Sequence, residues 1–381
     1  MAKTTLIALI LLVFAIPVIQ KYSHYPTDYK LDGYTEPVAK PQFSATSFFS
    51  SNFQEQLDAY LQENVGFKGY LIALKNQIDY SLFNKLNYTI ELGDDGQLFY
   101  WNHIDTRCGH LTLTEDSLQK KAEEATRLKV LLDSMHTKML FVLAPGKPFF
   151  FDDKLPARFK NKCSDDNDYK RVLSLLQQNN LSVIDFNAWF KSIRATQPYP
   201  LFPKLGTHWS YYGATLATDS LAKYIERELN TDLADYSIKS TEITAQAKGK
   251  DKDMFDLSNL LLPIQSDSLA YPEFTFATAK GKKPKVLLIG DSFNWTLVDT
   301  KMLPQLFSED SRFWFYRKQL YDLNGKWISE NPDEVNLYEL LRGTDIVIFL
   351  STEALYHRFD HGLANAVFAN PAVADSLNQI R

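Results

Sequence analysis

Apolar and polar positions change rhythm twice along the chain. Thr4 to Ile19 is uncharged throughout. After an irregular stretch rich in Pro, Tyr, Thr and Lys over 22–46, a helical pattern runs from about Phe49 to Phe83. Phe53, Leu57, Tyr60 and Leu61 fall on one face there. Gly93-Asp94-Asp95-Gly96 reads as a turn, and Gln97 to Trp101 after it as a strand. An alternation then begins. Apolar runs Met139–Ala144, Leu181–Phe186, Lys285–Ile289, Arg312–Tyr316 and Asp345–Leu350 predict short strands. Amphipathic stretches 115–137, 168–178, 211–229, 294–307 and 335–341 predict helices, with Ala214, Ala217, Leu221 and Ile225 on one face of the third. Buried strands alternating with helices predict an α/β fold, a parallel sheet covered on both faces. Residues 230–283, rich in Lys, Asp, Ser and Thr, break the rhythm and read as an insertion beside the active face.

The first apolar run is long for a signal-peptide core and slightly short for a full membrane span. Ala15-Ile16-Pro17 is a poor cleavage site, so an uncleaved anchor over 1–21 is the expectation and a cleaved signal peptide the alternative. Residues 22–46 then form a linker and 47–381 a domain in the cell envelope, outside the cytoplasm. Two cysteines, Cys108 and Cys163, suggest a disulfide in such a compartment; two unrelated buried thiols are the alternative. Their spacing and the lack of a His-rich tract point to no metal.

Of the 381 residues, 41 are basic and 46 acidic, giving a formal charge of −5, and no dense basic run tracks a phosphate backbone. Nucleic acid is not an expected partner. Aromatic residues reach 14%, enough to fill a core or to stack on sugar faces.

Two segments carry chemistry. The strand Lys285–Ile289 runs into Gly290-Asp291-Ser292, placing Ser292 beyond a strand end, where open α/β sheets bind ligands. Backbone N–H groups at the start of the following helix can hold an oxyanion; a plain turn with Ser292 as cap is the other reading. Thr207-His208-Trp209 enters a second helix. His208 is a candidate general base, because a serine hydroxyl needs one. Lys147, just past a strand end, can face substrate. Trp209, Tyr211, Tyr212 and Trp295 can form a sugar platform or pack around the histidine loop. Asn294, beside Trp295, completes the candidate substrate contacts.

Gly290-Asp291-Ser292-Phe293, preceded in the chain by Thr207-His208-Trp209, resembles the alginate O-acetyltransferase (AlgX/AlgJ-like) family, whose domain is SGNH-hydrolase-like. The order of the two blocks is reversed relative to ordinary SGNH hydrolases, as in that family. Glu63–Lys68, the Gly93–Tyr100 turn and strand, and Val142–Pro148 with Leu155-Pro156 resemble further family segments, so the resemblance covers roughly 50–355. It implies O-acetylation of an exported or cell-surface polysaccharide through an acetyl-serine, with Ser292 as nucleophile and His208 as base. It also implies no cofactor and a membrane-bound O-acyltransferase partner that supplies acetyl groups. A carbohydrate acetylesterase of the same fold, or a catalytically weak polysaccharide-binding or assembly factor, are the alternatives. The family usually has an Asp two residues before the His, where this chain has Gly206. A Ser292–His208 dyad with a backbone acceptor is therefore expected, Asp185 and Asp291 being the other candidates for the acid. The dyad predicts that Gly206→Asp preserves or raises activity, if the glycine's backbone angles permit a side chain.

Overall fold

The computed structural model describes residues 2–33, 37–109, 113–160, 162–164, 166–278, 281–331 and 335–369. Residue 1 of the expected anchor, 34–36 of the linker, and 110–112, 161, 165, 279–280, 332–334 and 370–381 of the expected domain lie outside them. The chain divides into two compact units, Met1–Asn87 with Phe255–Ile264, and Tyr88–Met254 with Gln265–Arg381.

The first unit is helical. Ala2–Ser23 is one helix, and Lys3–Ser23 is long and apolar enough to cross a membrane. The expected helix over 49–83 is two, Ser51–Asn64 and Lys68–Phe83. They part at Gly66, whose hydrogens lie against the Pro17 carbonyl, and at Phe67, which adopts a left-handed φ of 57°. A left-handed residue, after Val65 in an extended conformation, cannot continue a right-handed helix.

Among the described residues the second unit holds eleven strands. β1 (Ile90–Leu92) and β2 (Leu98–Tyr100) form a small antiparallel pair. The main sheet contains β3 (Lys138–Ala144) and β4 (Val183–Asp185). β5 (Tyr236–Thr244) and β6 (Leu269–Phe276) make a separate antiparallel ribbon. β7 (Val286–Gly290), β8 (Arg312–Phe315), β9 (Gln319–Asp322), β10 (Trp327–Ser329) and β11 (Ile346–Thr352) complete the main sheet, in the order β10-β9-β8-β7-β11-β3-β4. The five strands from β8 to β4 are parallel, as expected. The β9 and β10 edge is antiparallel, so the sheet is mixed. Its cause is local. Tyr316 and Arg317, both at positive φ, close a tight turn in which the Lys318 N–H donates to the Phe315 carbonyl. A turn that short can only reverse the strand; a parallel neighbour needs a long crossover.

The period-2 pattern of the central strands sorts the core into two layers. Leu140, Val142, Leu288, Ile348 and Leu350 pack with Ala214, Ala217, Leu221 and Ile225 of the helix Tyr211–Leu229. Met139, Phe141, Leu143, Leu287, Ile289 and Phe349 pack on the other face with Leu128, Leu131 and Leu132 of the helix Glu115–Ser134. Both faces of β7 and β11 are thus buried, which is why these runs are apolar throughout. The expected helix over 294–307 is two short ones, Phe293–Asp299 and Leu303–Leu306, separated at Lys301, which has a φ of 61°.

Cys108 and Cys163 are disulfide-bonded, 55 residues apart in sequence. Closing a loop of that length removes chain entropy worth about 4 kcal/mol at most. Replacing both cysteines with alanine is expected to lower the unfolding temperature by roughly 10 °C or less and leave the fold intact, measured by circular dichroism during heating.

Candidate active site

β7 is a central strand, and its last residue, Gly290, lies beside Leu350 of β11. A Cβ at Gly290 would stand 1.9 Å from the Leu350 carbonyl oxygen, so only glycine fits. Asp291 follows and is buried. One carboxylate oxygen accepts from the Thr352 N–H at 2.7 Å and the Thr352 hydroxyl at 2.9 Å; the other accepts from the Phe293 N–H at 3.0 Å. Burial pushes this carboxyl up, and the donors work against that. Asp291 therefore ties down the turn and is not the partner of His208. The turn presents Ser292, half-buried, at the carboxyl end of the sheet.

His208 comes from the loop before the helix Tyr211–Leu229, whose first turn is capped by the Ser210 hydroxyl. His208 Nε2 lies 2.9 Å from Ser292 Oγ, and Nδ1 lies 2.6 Å from Asp253 Oδ2. The expected dyad with a backbone acceptor is thus replaced by a three-member chain of hydroxyl, imidazole and carboxylate. Asp185, the other candidate, caps the helix Phe186–Ile193 and accepts from the Tyr169 hydroxyl at 2.8 Å. Asp253 follows the short helical turn Gly249–Lys252 between β5 and β6. It lies within the stretch read as an insertion. Its other oxygen, Oδ1, accepts the Thr207 N–H at 2.9 Å. Burial works to raise the Asp253 carboxyl, but the His208 ring and the Thr207 N–H outweigh it and hold it below the ordinary range. An ionised Asp253 fixes the proton on Nδ1 and leaves Nε2 free to accept from the serine.

Gly206 follows from the same loop. A Cβ there would meet the Lys250 carbonyl oxygen at 2.5 Å and the Asp251 carbonyl carbon at 2.9 Å. The segment that delivers Asp253 occupies the space an aspartate at 206 would need. The obstacle is this close approach and not the glycine's φ, which lies outside the left-handed region. Gly206→Asp is accordingly expected to lower activity by about 10²-fold or more, the reverse of the dyad expectation, because it displaces the Asp253 segment. Turnover of a chromogenic acetyl ester checks this.

The side chains of the other residues named from sequence are engaged elsewhere; Trp295 meets Ser292 through its backbone N–H, which donates to the Ser292 carbonyl at 3.1 Å. Lys147 is fully buried and donates to the carbonyls of Pro203, Lys204 and Gly206. It faces no open site. Burial pulls its ammonium down to about 7, with the Asp253 and Asp267 charges acting the other way. Trp209 is buried, stacked 5.6 Å from Phe190, and its indole N–H donates to the Thr296 hydroxyl, so it packs and is no platform. Asn294 is buried and donates to the Asp291 and Leu350 carbonyls. Tyr212 packs on Tyr199, and its hydroxyl bonds Gln197. Trp295 packs among Phe313, Phe315 and Tyr321. Tyr211 lines a cavity of about 320 Å³ with Lys248, Asp251, Tyr271, Thr296 and Asp299.

One neighbour of Ser292 escaped the sequence reading. Tyr316 lies just past β8, its N–H donating to the Gly290 carbonyl at 2.8 Å. Burial pushes its phenol up, with the Ser292 hydroxyl and N–H acting the other way, so it stays protonated and able to donate. A bulky residue at φ 51° is the local signal, and it is invisible in sequence.

Residues 90–306 match the family described as the SGNH hydrolase-like domain of the acetyltransferase AlgX. The chain belongs to this family. Solved structures similar to this AlgX-family chain include the O-acetyltransferase domain of Pseudomonas putida AlgJ, 18% identical over 77% of this chain and 99% of its own, with a TM-score of 0.47. Pseudomonas aeruginosa AlgX is 12% identical over 72% and 67%, with a TM-score of 0.46. Bacillus cereus PatB1 is 12% identical over 70% and 96%, with a TM-score of 0.43. No curated protein sequence matches the chain.

Proposed function

We propose that this AlgX-family protein is an O-acyltransferase that places acetyl groups on hydroxyls of an exported or cell-surface polysaccharide through an acetyl-Ser292 intermediate. The observation that supports it most is the continuous hydrogen-bonded chain Asp253–His208–Ser292 at the end of a central strand. His208 Nε2 takes the Ser292 proton as Oγ attacks the acetyl carbonyl carbon. The negative oxygen that forms is met by the Ser292 N–H and the Tyr316 hydroxyl. Collapse expels the donor's leaving group, which takes the proton from His208. A sugar hydroxyl then gives its proton to His208 and attacks the acetyl-serine carbonyl. Ser292 leaves and recovers the proton.

The apolar helix Lys3–Ser23 supports an anchored protein of the cell envelope, and a membrane-bound O-acyltransferase is the proposed source of acetyl groups. The reading as a weak binding or assembly factor rested on Gly206, and Asp253 now supplies the carboxylate that position lacks. Mass spectrometry tests the proposal. Protein incubated with an activated acetyl ester should carry one acetyl group on the Ser292 peptide. Exported glycan should lose acetyl groups in cells that carry Ser292→Ala. An unmodified Ser292 together with unchanged glycan would refute it.

A further inference from the structure

Among the described residues Lys147 is the largest charged side chain that is fully buried, with 1% of its surface exposed. An ammonium has three donors and no acceptor. Here Nζ meets three acceptors, the carbonyls of Pro203 at 2.7 Å, Lys204 at 2.9 Å and Gly206 at 2.9 Å. All three belong to the loop that enters His208. Burying a cation this way is unfavourable unless its bonds are well formed, so such a side chain holds its partners tightly.

The Gly206 carbonyl is the telling one. It is one end of the Gly206–Thr207 peptide, and the Thr207 N–H, the other end, donates to Asp253 Oδ1 at 2.9 Å. The peptide unit just before His208 is therefore gripped from both sides, by an ammonium at its oxygen and a carboxylate at its N–H. Those are the signs of charge its dipole favours. A peptide plane is rigid, so fixing both ends fixes the direction in which the chain enters His208. Asp253 grips the plane and the imidazole at once; Lys147 grips the plane from the opposite end and touches no member of the triad.

We propose that Lys147 is a positioning residue, clamping the Gly206–Thr207 peptide so that His208 is aimed at both Asp253 and Ser292. Its part in turnover rests on the acyl-transfer reading above; the clamp itself does not. Lys147→Met in the full chain keeps the length and removes all three donors. On a small chromogenic acetyl ester, kcat is expected to fall about 10²-fold, the scale of a misplacement of about 1 Å, with KM within about twofold. The low-field proton resonance of the His208 Nδ1–H, a property of the short bond to Asp253, is expected to shift or broaden. Leu306→Ala, a cavity at a fully buried core residue, should lower the unfolding temperature yet leave kcat and that resonance in place. Where Lys147→Met gives no folded protein, Lys147→Gln, with two amide donors left, carries the same readouts and should show a smaller loss. Parent-like kcat with an unmoved resonance overturns the clamp. So does a rise in KM alone, which would make Lys147 a substrate contact, or a loss of kcat with the resonance unmoved. Ester turnover that survives Ser292→Ala would instead overturn the acyl-serine reading, and the resonance would still decide the clamp.

Discussion

Ser292→Ala is expected to lower turnover of an acetyl ester about 10⁶-fold and leave the fold unchanged. The magnitude follows from the role of the group. In the proposed reaction no acyl-enzyme can form without Oγ, and His208 and Asp253 have no proton to move. In a comparable hydroxyl–imidazole–carboxylate system, loss of the serine costs about as much as loss of the whole triad. What remains is the pull of the oxyanion donors and binding, worth about 10³ to 10⁴ over water. The side chain is half-buried at a strand end and bonds His208, so its removal touches none of the core packing. Steady-state kinetics and far-ultraviolet circular dichroism on the two proteins check both halves. A variant that keeps parental turnover would place the chemistry at another side chain.

What the sequence showed of this fold depended on how local the determining interactions are. β3, β7 and β11 are buried on both faces, so their apolar runs stand out without any knowledge of their neighbours. The helix Tyr211–Leu229 declares itself through a stripe of small and branched residues. β9 and β10 are short strands at the antiparallel end of the sheet, with Leu320 the one buried residue of their seven, and they leave no such trace. The site divides in the same way. Gly290-Asp291-Ser292 and Thr207-His208 are contiguous, and each carries its backbone requirement within a few residues. Asp253 lies 45 residues from the histidine it serves, inside Lys248-Gly249-Lys250-Asp251-Lys252-Asp253, a run that by composition is a solvated face. Lys147 shows the converse error. A lysine after a Pro-Gly turn reads as exposed, but the three carbonyls that bury it lie 56 to 59 residues downstream, and no periodicity announces them. Gly206 was visible as a departure from the family pattern, but its meaning was not. It marks the place where another segment comes close, and the acid enters on that segment.

Asp253→Asn is expected to cost about 10⁴ in turnover with little change in structure, the largest loss after that of Ser292→Ala. The amide is the same size as the carboxylate and keeps an oxygen for the Thr207 N–H, so the loop can stay in place. The other end of the amide faces His208 Nδ1 with N–H donors where the carboxylate offered an acceptor. Nδ1 must then accept, the ring proton moves to Nε2, and Nε2 loses the lone pair that takes the serine proton. The imidazolium that forms during attack also loses its counter-charge. The loss should fall on kcat, since Asp253 lies behind the histidine and its contacts are to His208 and Thr207. Asp185→Asn supplies the contrast. That carboxylate caps its own helix and bonds Tyr169, so most activity should remain. The low-field resonance of the His208 Nδ1–H should vanish in Asp253→Asn and persist in Asp185→Asn. If Asp253→Asn keeps turnover within about tenfold of the parent, the 2.6 Å contact is structural, and the histidine acts with Ser292 alone.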